Sequence, residues 1–164
     1  MIARTYATEI YKLPVVVTRF CNIFGPGQLN FSALIPDSVR ACLGYGKFVP
    51  RGSGQQIRDF IFAGDVVDLY LRIGESLARD PETFRGRVYN AGTNQPRSVR
   101  DILETVYRLT GRENDFQNVL GMMKGRETVG EIECQYMDYE LVNRDFGWTP
   151  QTSFDHGVTQ TIEW

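Results

Sequence analysis

Histidine is almost absent from this sequence: His156 is the only one. A His-rich metal site is thereby excluded, and a Ser-His-Asp triad would have to use this one residue. Nothing near it in sequence forms a pair with it, so it reads as a solvated helix residue. Cysteine is scarce as well. Cys21, Cys42 and Cys134 lie far apart, with no Cys-x-x-Cys spacing. Their odd number and the lack of a signal peptide point to free thiols in a reducing cytoplasm. No apolar run approaches the roughly 20 residues that span a bilayer; Leu13 to Val17 is among the longest. Charge of one sign is missing too. Lys plus Arg number 18 against 20 Asp plus Glu, a net charge of −2, which leaves no basic excess for nucleic acid. Finally, no tyrosine is followed by lysine at i+4, the spacing at which an ammonium lowers a phenol's pKa for base catalysis. Tyr6 is followed there by Ile10, and Tyr11 by Val15.

What is present fits one globular unit over residues 1–164. A chain of 164 residues with 42% hydrophobic content can bury a core without disulfides. Apolar positions at helical spacing predict a helix over 2–11, which Pro14 stops. Val15 to Phe20 reads as a strand buried on both faces, and Gly25-Pro26-Gly27 as a loop. Leu34 to Leu43 reads as a helix, Lys47 to Val49 as a short strand, and Ile57 to Phe62 as a strand with a return stroke. Val66, Leu69, Tyr70, Ile73 and Leu77 give the clearest helical face, with Asp65 as its cap. Arg87 to Ala91 is a further strand. Ser98 and Asp101 form a capping-box pair for a helix through Leu109. Residues 112–126 are weakly patterned, with Met122 and Met123 as packing anchors. Tyr139 to Phe146 is a short helix, and Thr152 and Asp155 cap a last one. Helices alternating with short strands predict an α/β fold.

Four features bear on chemistry. Gly25-Pro26-Gly27 after a strand imitates the start of a Gly-x-Gly-x-x-Gly dinucleotide loop. The third glycine is missing, however, and Pro26 sits inside the turn, so a sharp turn is the simpler reading. Gly44-Tyr45-Gly46-Lys47 lacks the first glycine and the Ser or Thr of a phosphate loop. Arg58, flanked by apolar strand residues, must find an anion or a surface. It would contact a diphosphate bidentately or pair internally with Asp59 or Asp65. Asn22 follows the buried strand, at the edge where ligands of open α/β sheets gather; it donates to phosphate there or caps the loop backbone. Asn90 stands in the same relation to the strand ending at Ala91.

The segments Thr18-Arg19-Phe20-Cys21-Asn22-Ile23-Phe24-Gly25-Pro26-Gly27, Leu34-Ile35-Pro36, Arg51-Gly52-Ser53-Gly54, Arg58-Asp59-Phe60-Ile61, Asp65-Val66, Tyr89-Asn90-Ala91-Gly92 and Phe146-Gly147-Trp148-Thr149-Pro150 occur in one order along nearly the whole chain. Together they resemble the extended short-chain dehydrogenase/reductase family acting on nucleotide sugars. Leu29-Asn30-Phe31-Ser32 and Glu131-Ile132-x-x-Gln135-Tyr136 look closest to CDP-glucose 4,6-dehydratases.

The resemblance implies the C-terminal part of a Rossmann-like extended fold with a small α/β substrate-binding portion. It implies that Phe20 and Cys21 touch the nicotinamide end of NAD, and that Asn22 hydrogen-bonds a sugar diphosphate. Leu29, Asn30 and Leu34 would line the nucleotide, Arg51 would contact its base, and Arg58 would clamp the diphosphate. Asn90 joins this binding set. Arg126 lies near a second phosphate arginine of some relatives, although Thr128 stands where that pattern has arginine. The family's glycine-rich loop and its Tyr-x-x-x-Lys pair are missing here, and the helix at 2–11 looks like the remainder of the one after that tyrosine. The expectation is therefore a nucleotide-sugar binding portion, inactive alone, of an NAD-dependent 4,6-dehydratase or epimerase. Its partners would be a nucleotide-diphosphate sugar and either a second copy or the missing N-terminal half. The other readings are a non-catalytic nucleotide-sugar-binding module completed by a separate chain, and a bare structural or dimerisation domain.

Overall fold

The computed structural model describes residues 2–127 and 130–164. A short helix α1 (Ile2–Tyr6) precedes β1 (Val17–Phe20), and the chain bends at Cys21 into β2 (Asn22–Phe24). β1 pairs in parallel with β5 (Val88–Ala91), Val17 opposite Val88 and Phe20 opposite Ala91. β2 pairs in parallel with β4 (Phe60–Phe62), Asn22 opposite Phe60. The crossovers are helical, as parallel pairing requires. Helix α2 (Leu34–Cys42) lies between β2 and β4, and α3 (Ala63–Arg79) with the one-turn α4 (Pro81–Phe84) between β4 and β5. A separate ladder has β3 (Ile57–Arg58) at its centre, antiparallel to β6 (Arg97–Ser98) and parallel to β7 (Cys134–Gln135). Helices α5 (Val99–Leu109), α6 (Glu113–Met123), α7 (Glu140–Phe146) and α8 (Phe154–Glu163) complete the chain.

Two apolar clusters hold these elements. One packs Phe24, Ile35, Ile102, Val106, Phe116, Phe154 and Val158 between α2, α5, α6 and α8. The other packs Ile61, Leu69, Ile73, Tyr89, Val142 and Trp148 between α3, β5 and α7. Alternation explains β5: Tyr89 and Ala91 are buried, while Asn90 between them is exposed. The Ser98–Asp101 capping box forms as expected. Ser98 Oγ accepts from the Asp101 amide at 3.1 Å, and Asp101 Oδ2 accepts from the Ser98 amide at 3.4 Å.

Several expectations are corrected. The first helix ends at Tyr6 rather than residue 11, because only Ala7 in that stretch finds burial and Lys12 takes a left-handed φ of 50°. Lys47 to Val49 forms no strand; Phe48 instead drops into the first cluster. Residues 57–62 do not make one hairpin but two strands in different ladders, separated by the buried Asp59. Asp65 lies within the first turn of α3, not at its cap. Its carboxylate accepts from the amides of Gln151 and Thr152, each at 3.1 Å, which ties the chain before α8 to α3. The cap of α8 is Ser153, one residue later than expected, its hydroxyl accepting from the His156 amide at 3.3 Å, and Asp155 lies inside the first turn. Residues 113–123 form a full helix whose anchors are Phe116, Val119 and Met123; Met122 is exposed.

Candidate functional site

A cleft of about 390 Å³ opens between the β2–α2 connection and the β3 ladder. That volume falls within the ~300–1,000 Å³ of small-molecule sites. Asn22, Ile23 and Gln28 line one side, while Leu34, Ile35 and Pro36 contribute the start of α2. Phe48, Pro50 and Arg51 close another side. Arg58 and Phe60 come from β3 and β4, and Glu131 reaches in from the segment before β7. The surface is thus an apolar floor with two guanidinium groups on its walls. Two guanidinium groups beside apolar side chains suit the arrangement to holding an anionic ligand with an apolar portion.

Arg58 is the best-fixed of these groups. Its side chain is 13% exposed, one guanidinium nitrogen donates to the Ile57 carbonyl at 2.8 Å, and the other donates to Glu131 Oε1 at 2.9 Å. Neither Asp59 nor Asp65 pairs with it, contrary to the internal alternatives above. Both carboxylates are consumed elsewhere. Asp59 accepts from the Thr93 amide at 2.9 Å, from the Thr93 hydroxyl and from the Met137 amide at 3.4 Å. Arg51 donates to the Ser32 carbonyl at 3.3 Å. Asn22 opens β2; its side-chain amide and its backbone amide both donate to the Asp59 carbonyl at 3.1 Å, so it braces the backbone while lining the cleft.

The remaining candidates lie elsewhere. Leu29 is exposed outside the cleft lining. Asn30 Oδ1 accepts from the Ser32 amide and hydroxyl, at 3.2 and 2.6 Å, and so spends its side chain on the local turn. Arg126 donates to the Pro50 carbonyl at 2.6 Å; it buttresses the loop carrying Arg51 from behind and does not line the cleft. Thr128 is outside the described residues. Asn90 sits inside β5, opposite Arg19 and exposed, not past the strand end as expected. Phe20 packs its ring 5.6 Å from that of Tyr70. Burial first, then the neighbouring Asp59 carboxylate, pushes the pKa of the Cys21 thiol well above the ordinary range. It stays protonated and unreactive.

Glu131, Gln28 and Phe60 were missed as cleft residues. Phe60 and Gln28 carry no local signal beyond ordinary loop and strand residues. Glu131 lies 73 positions from its partner Arg58, and only the parallel pairing of β3 with β7 brings the two together. The dinucleotide-like loop resolves as packing. A Cβ on Gly25 would lie 3.0 Å from Ala63 Cβ, so this glycine lets the loop seat on the start of α3.

Comparison with known proteins agrees with this architecture. The human dTDP-D-glucose 4,6-dehydratase is 31% identical over 166 aligned residues, covering 95% of this chain and 43% of the relative. The crystal structure of the Bacillus anthracis dTDP-glucose 4,6-dehydratase in complex with NAD superposes with a TM-score of 0.75 at 29% identity, over 100% of this chain and 48% of that one. MoeE5, solved with UDP-glucuronic acid and NAD, matches with a TM-score of 0.76 at 26% identity, over 99% of this chain and 51% of its own. The chain spans less than half the length of the human relative. Residues 1–92 match the family described as NAD dependent epimerase/dehydratase. With the parallel pairs, the helical crossovers and the ordered motifs already in place, the chain belongs to the NAD-dependent epimerase/dehydratase family.

Proposed function

We propose that residues 1–164 act as the nucleotide-sugar binding portion of an NAD-dependent 4,6-dehydratase or epimerase, with no activity when alone. The observation that carries this reading is the cleft itself, where Arg58 and Arg51 stand over an apolar floor formed partly by Leu34, Ile35 and Phe60. Arg58 takes the diphosphate, Arg51 approaches the base, and Leu34 lies under the nucleoside. Asn22 contributes from the opposite wall once its amide is released from the Asp59 carbonyl. The relatives' ligands, UDP-glucuronic acid and NAD in one solved structure, support a nucleotide sugar as the class. The likeness of Leu29-Asn30-Phe31-Ser32 and Glu131-Ile132-x-x-Gln135-Tyr136 to CDP-glucose 4,6-dehydratases supports a CDP-sugar. The Gly25-Pro26-Gly27 loop makes a poor cradle for the NAD pyrophosphate, since Gly25 is used in packing and Pro26 has no amide hydrogen. Phe20 would supply only an edge of the nicotinamide site. The remainder comes from an N-terminal half, on the same polypeptide or on a partner.

The test is binding of CDP-glucose and UDP-glucose to the chain with that half restored. A hydrogen bond to a charged group contributes about 1.5–3 kcal/mol. Arg58→Ala should therefore weaken both ligands by roughly tenfold to a hundredfold, at about 1.4 kcal/mol per decade. Arg51→Ala should instead change the preference between the two bases. Unchanged affinity in a folded Arg58→Ala protein would overturn the diphosphate site.

A further inference from the structure

Arg58 is paired with Glu131, and the two partners are unequal. The Arg58 side chain is 13% exposed and braced by the Ile57 carbonyl, whereas that of Glu131 is 43% exposed. The backbone carrying Glu131 is itself anchored close by. The Ile57 amide donates to the Glu133 carbonyl at 2.7 Å, and Arg58 stands opposite Gln135 in the β3–β7 pairing. What can leave is thus the glutamate side chain, not the arginine and not the strand. The other carboxylate on the cleft, Asp37, is bound to Arg40 at 2.7 Å, and Arg51 donates to the Ser32 carbonyl. Glu131 is the acid set directly on the cation proposed to receive phosphate.

We infer that Glu131 is an internal competitor for Arg58: its carboxylate occupies the place of a phosphate oxygen and is displaced when a diphosphate binds. This rests on the reading of the cleft as a diphosphate site and adds a selectivity device to it. A carboxylate keeps the guanidinium desolvated and aligned between ligands. It also sets a threshold, because an incoming anion must exchange for one already there. A ligand that offers little negative charge gains nothing from the exchange, whereas a diphosphate with two charged groups does. Expelled into water, the 43%-exposed glutamate side chain solvates without steric hindrance, and its negative charge near the site favours release of the ligand afterwards.

The test uses the 164-residue chain with three probes: inorganic pyrophosphate, UDP and uridine. Partly exposed ion pairs contribute modestly, so Glu131→Gln should tighten pyrophosphate and UDP roughly two- to fivefold while leaving uridine unchanged. Arg58→Ala should weaken the two charged probes at least tenfold. A second measurement needs no variant. The side-chain carboxyl carbon resonance of Glu131 should move toward that of a free carboxylate on adding pyrophosphate, and stay in place with uridine. If Arg58→Ala weakens binding but Glu131→Gln leaves it equal or poorer, or the Glu131 resonance does not respond while pyrophosphate binds, the competitor role is overturned and the diphosphate site stands. If pyrophosphate and UDP fail to bind, or bind without need of Arg58, the cleft reading falls and this inference with it.

Discussion

Asp145 shows how single residues join distant parts of this chain. Its side chain is 9% exposed and accepts from the Tyr89 hydroxyl at 2.8 Å, from Arg87 at 2.9 Å and from Arg144 at 3.0 Å. Burial opposes its ionisation, yet the Tyr89 hydrogen bond and then the Arg144 and Arg87 guanidiniums outweigh it, so its pKa lies below the usual carboxylate range. The same contact acts on Tyr89, whose pKa is pushed up to about 12 by burial first and by Asp145 second. The two shifts have opposite signs and give two pH limits. A depressed carboxylate pKa contributes stability above the unfolded value of about 4, lost as pH falls through the folded one. A raised phenol pKa contributes stability below about 10, lost as pH rises toward its folded value. Urea midpoints measured against pH should therefore fall at both ends. Asp145→Asn should cost about 1.5–3 kcal/mol at neutral pH and should flatten both limbs. A variant curve parallel to the original at every pH would contradict this assignment. Asp59 plays a comparable part behind the cleft, and Gly92 beside it has no room for a side chain. A Cβ there would overlap the Met137 carbonyl and lie 2.5 Å from Asp59 Oδ2.

Among the elements, α5 is the one whose start, face and end are all written locally. Ser98 and Asp101 close the capping box, Ile102, Leu103, Val106 and Tyr107 face the core, and Gly111 follows the helix at a φ of 67°. Ser98→Ala should cost about 1 kcal/mol, read as a lower urea midpoint at unchanged slope. Because the lost hydroxyl leaves the Asp101 amide without its acceptor, the variant should also exchange its first-turn amides faster; unaltered exchange there would show that tertiary packing alone holds the turn. The long α3 was legible for a similar reason, its apolar positions recurring every three to four residues. What was illegible depends on partners far away in sequence. Asp65 looked like a cap because aspartate before an apolar helical run usually is one; its true partners, Gln151 and Thr152, lie 86 and 87 residues on. The apolar stretch from Ile57 to Phe62 hides the switch between two ladders, since nothing local marks Asp59 as buried at the break. In the site, Arg58 stood out as a cation among apolar residues, but Glu131 could be found only once β7 was laid beside β3. Arg126 and Asn30 carried plausible chemistry and proved to be engaged by backbone and turn.

At the scale of the molecule, the distribution of glycine and helix starts decides what the chain can bind. A dinucleotide pyrophosphate is held by a glycine-rich turn that feeds directly from a strand into a helix N-terminus, whose amides and dipole face the phosphates. Here β2 ends at Phe24 and the next helix, α2, begins only at Leu34. The intervening loop carries Pro26, which has no amide hydrogen, and uses Gly25 to approach Ala63. Two helices follow a strand without delay: α3, after β4, whose first-turn carboxylate Asp65 accepts from the amides of Gln151 and Thr152, and α5, after β6, whose first turn is closed by the Ser98–Asp101 capping box. The residues assigned to the nicotinamide side, Phe20 and Cys21, are held against Tyr70 and Asp59 and offer contact area without a phosphate site. The arginine-lined cleft takes in Asn22 and Ile23 from the start of β2 together with residues of α2 and β3, and is the site proposed above for the nucleotide sugar. The isolated chain should therefore show no NAD binding in calorimetric titration into the millimolar range, while still taking UDP or pyrophosphate. Supplying a glycine-loop half, fused or separate, should restore NAD binding, and Phe20→Ala should then weaken it severalfold without changing the affinity for UDP. One-site micromolar binding of NAD by the 164-residue chain would contradict this division of labour, because it would require a pyrophosphate cradle among residues that the fold has committed to packing.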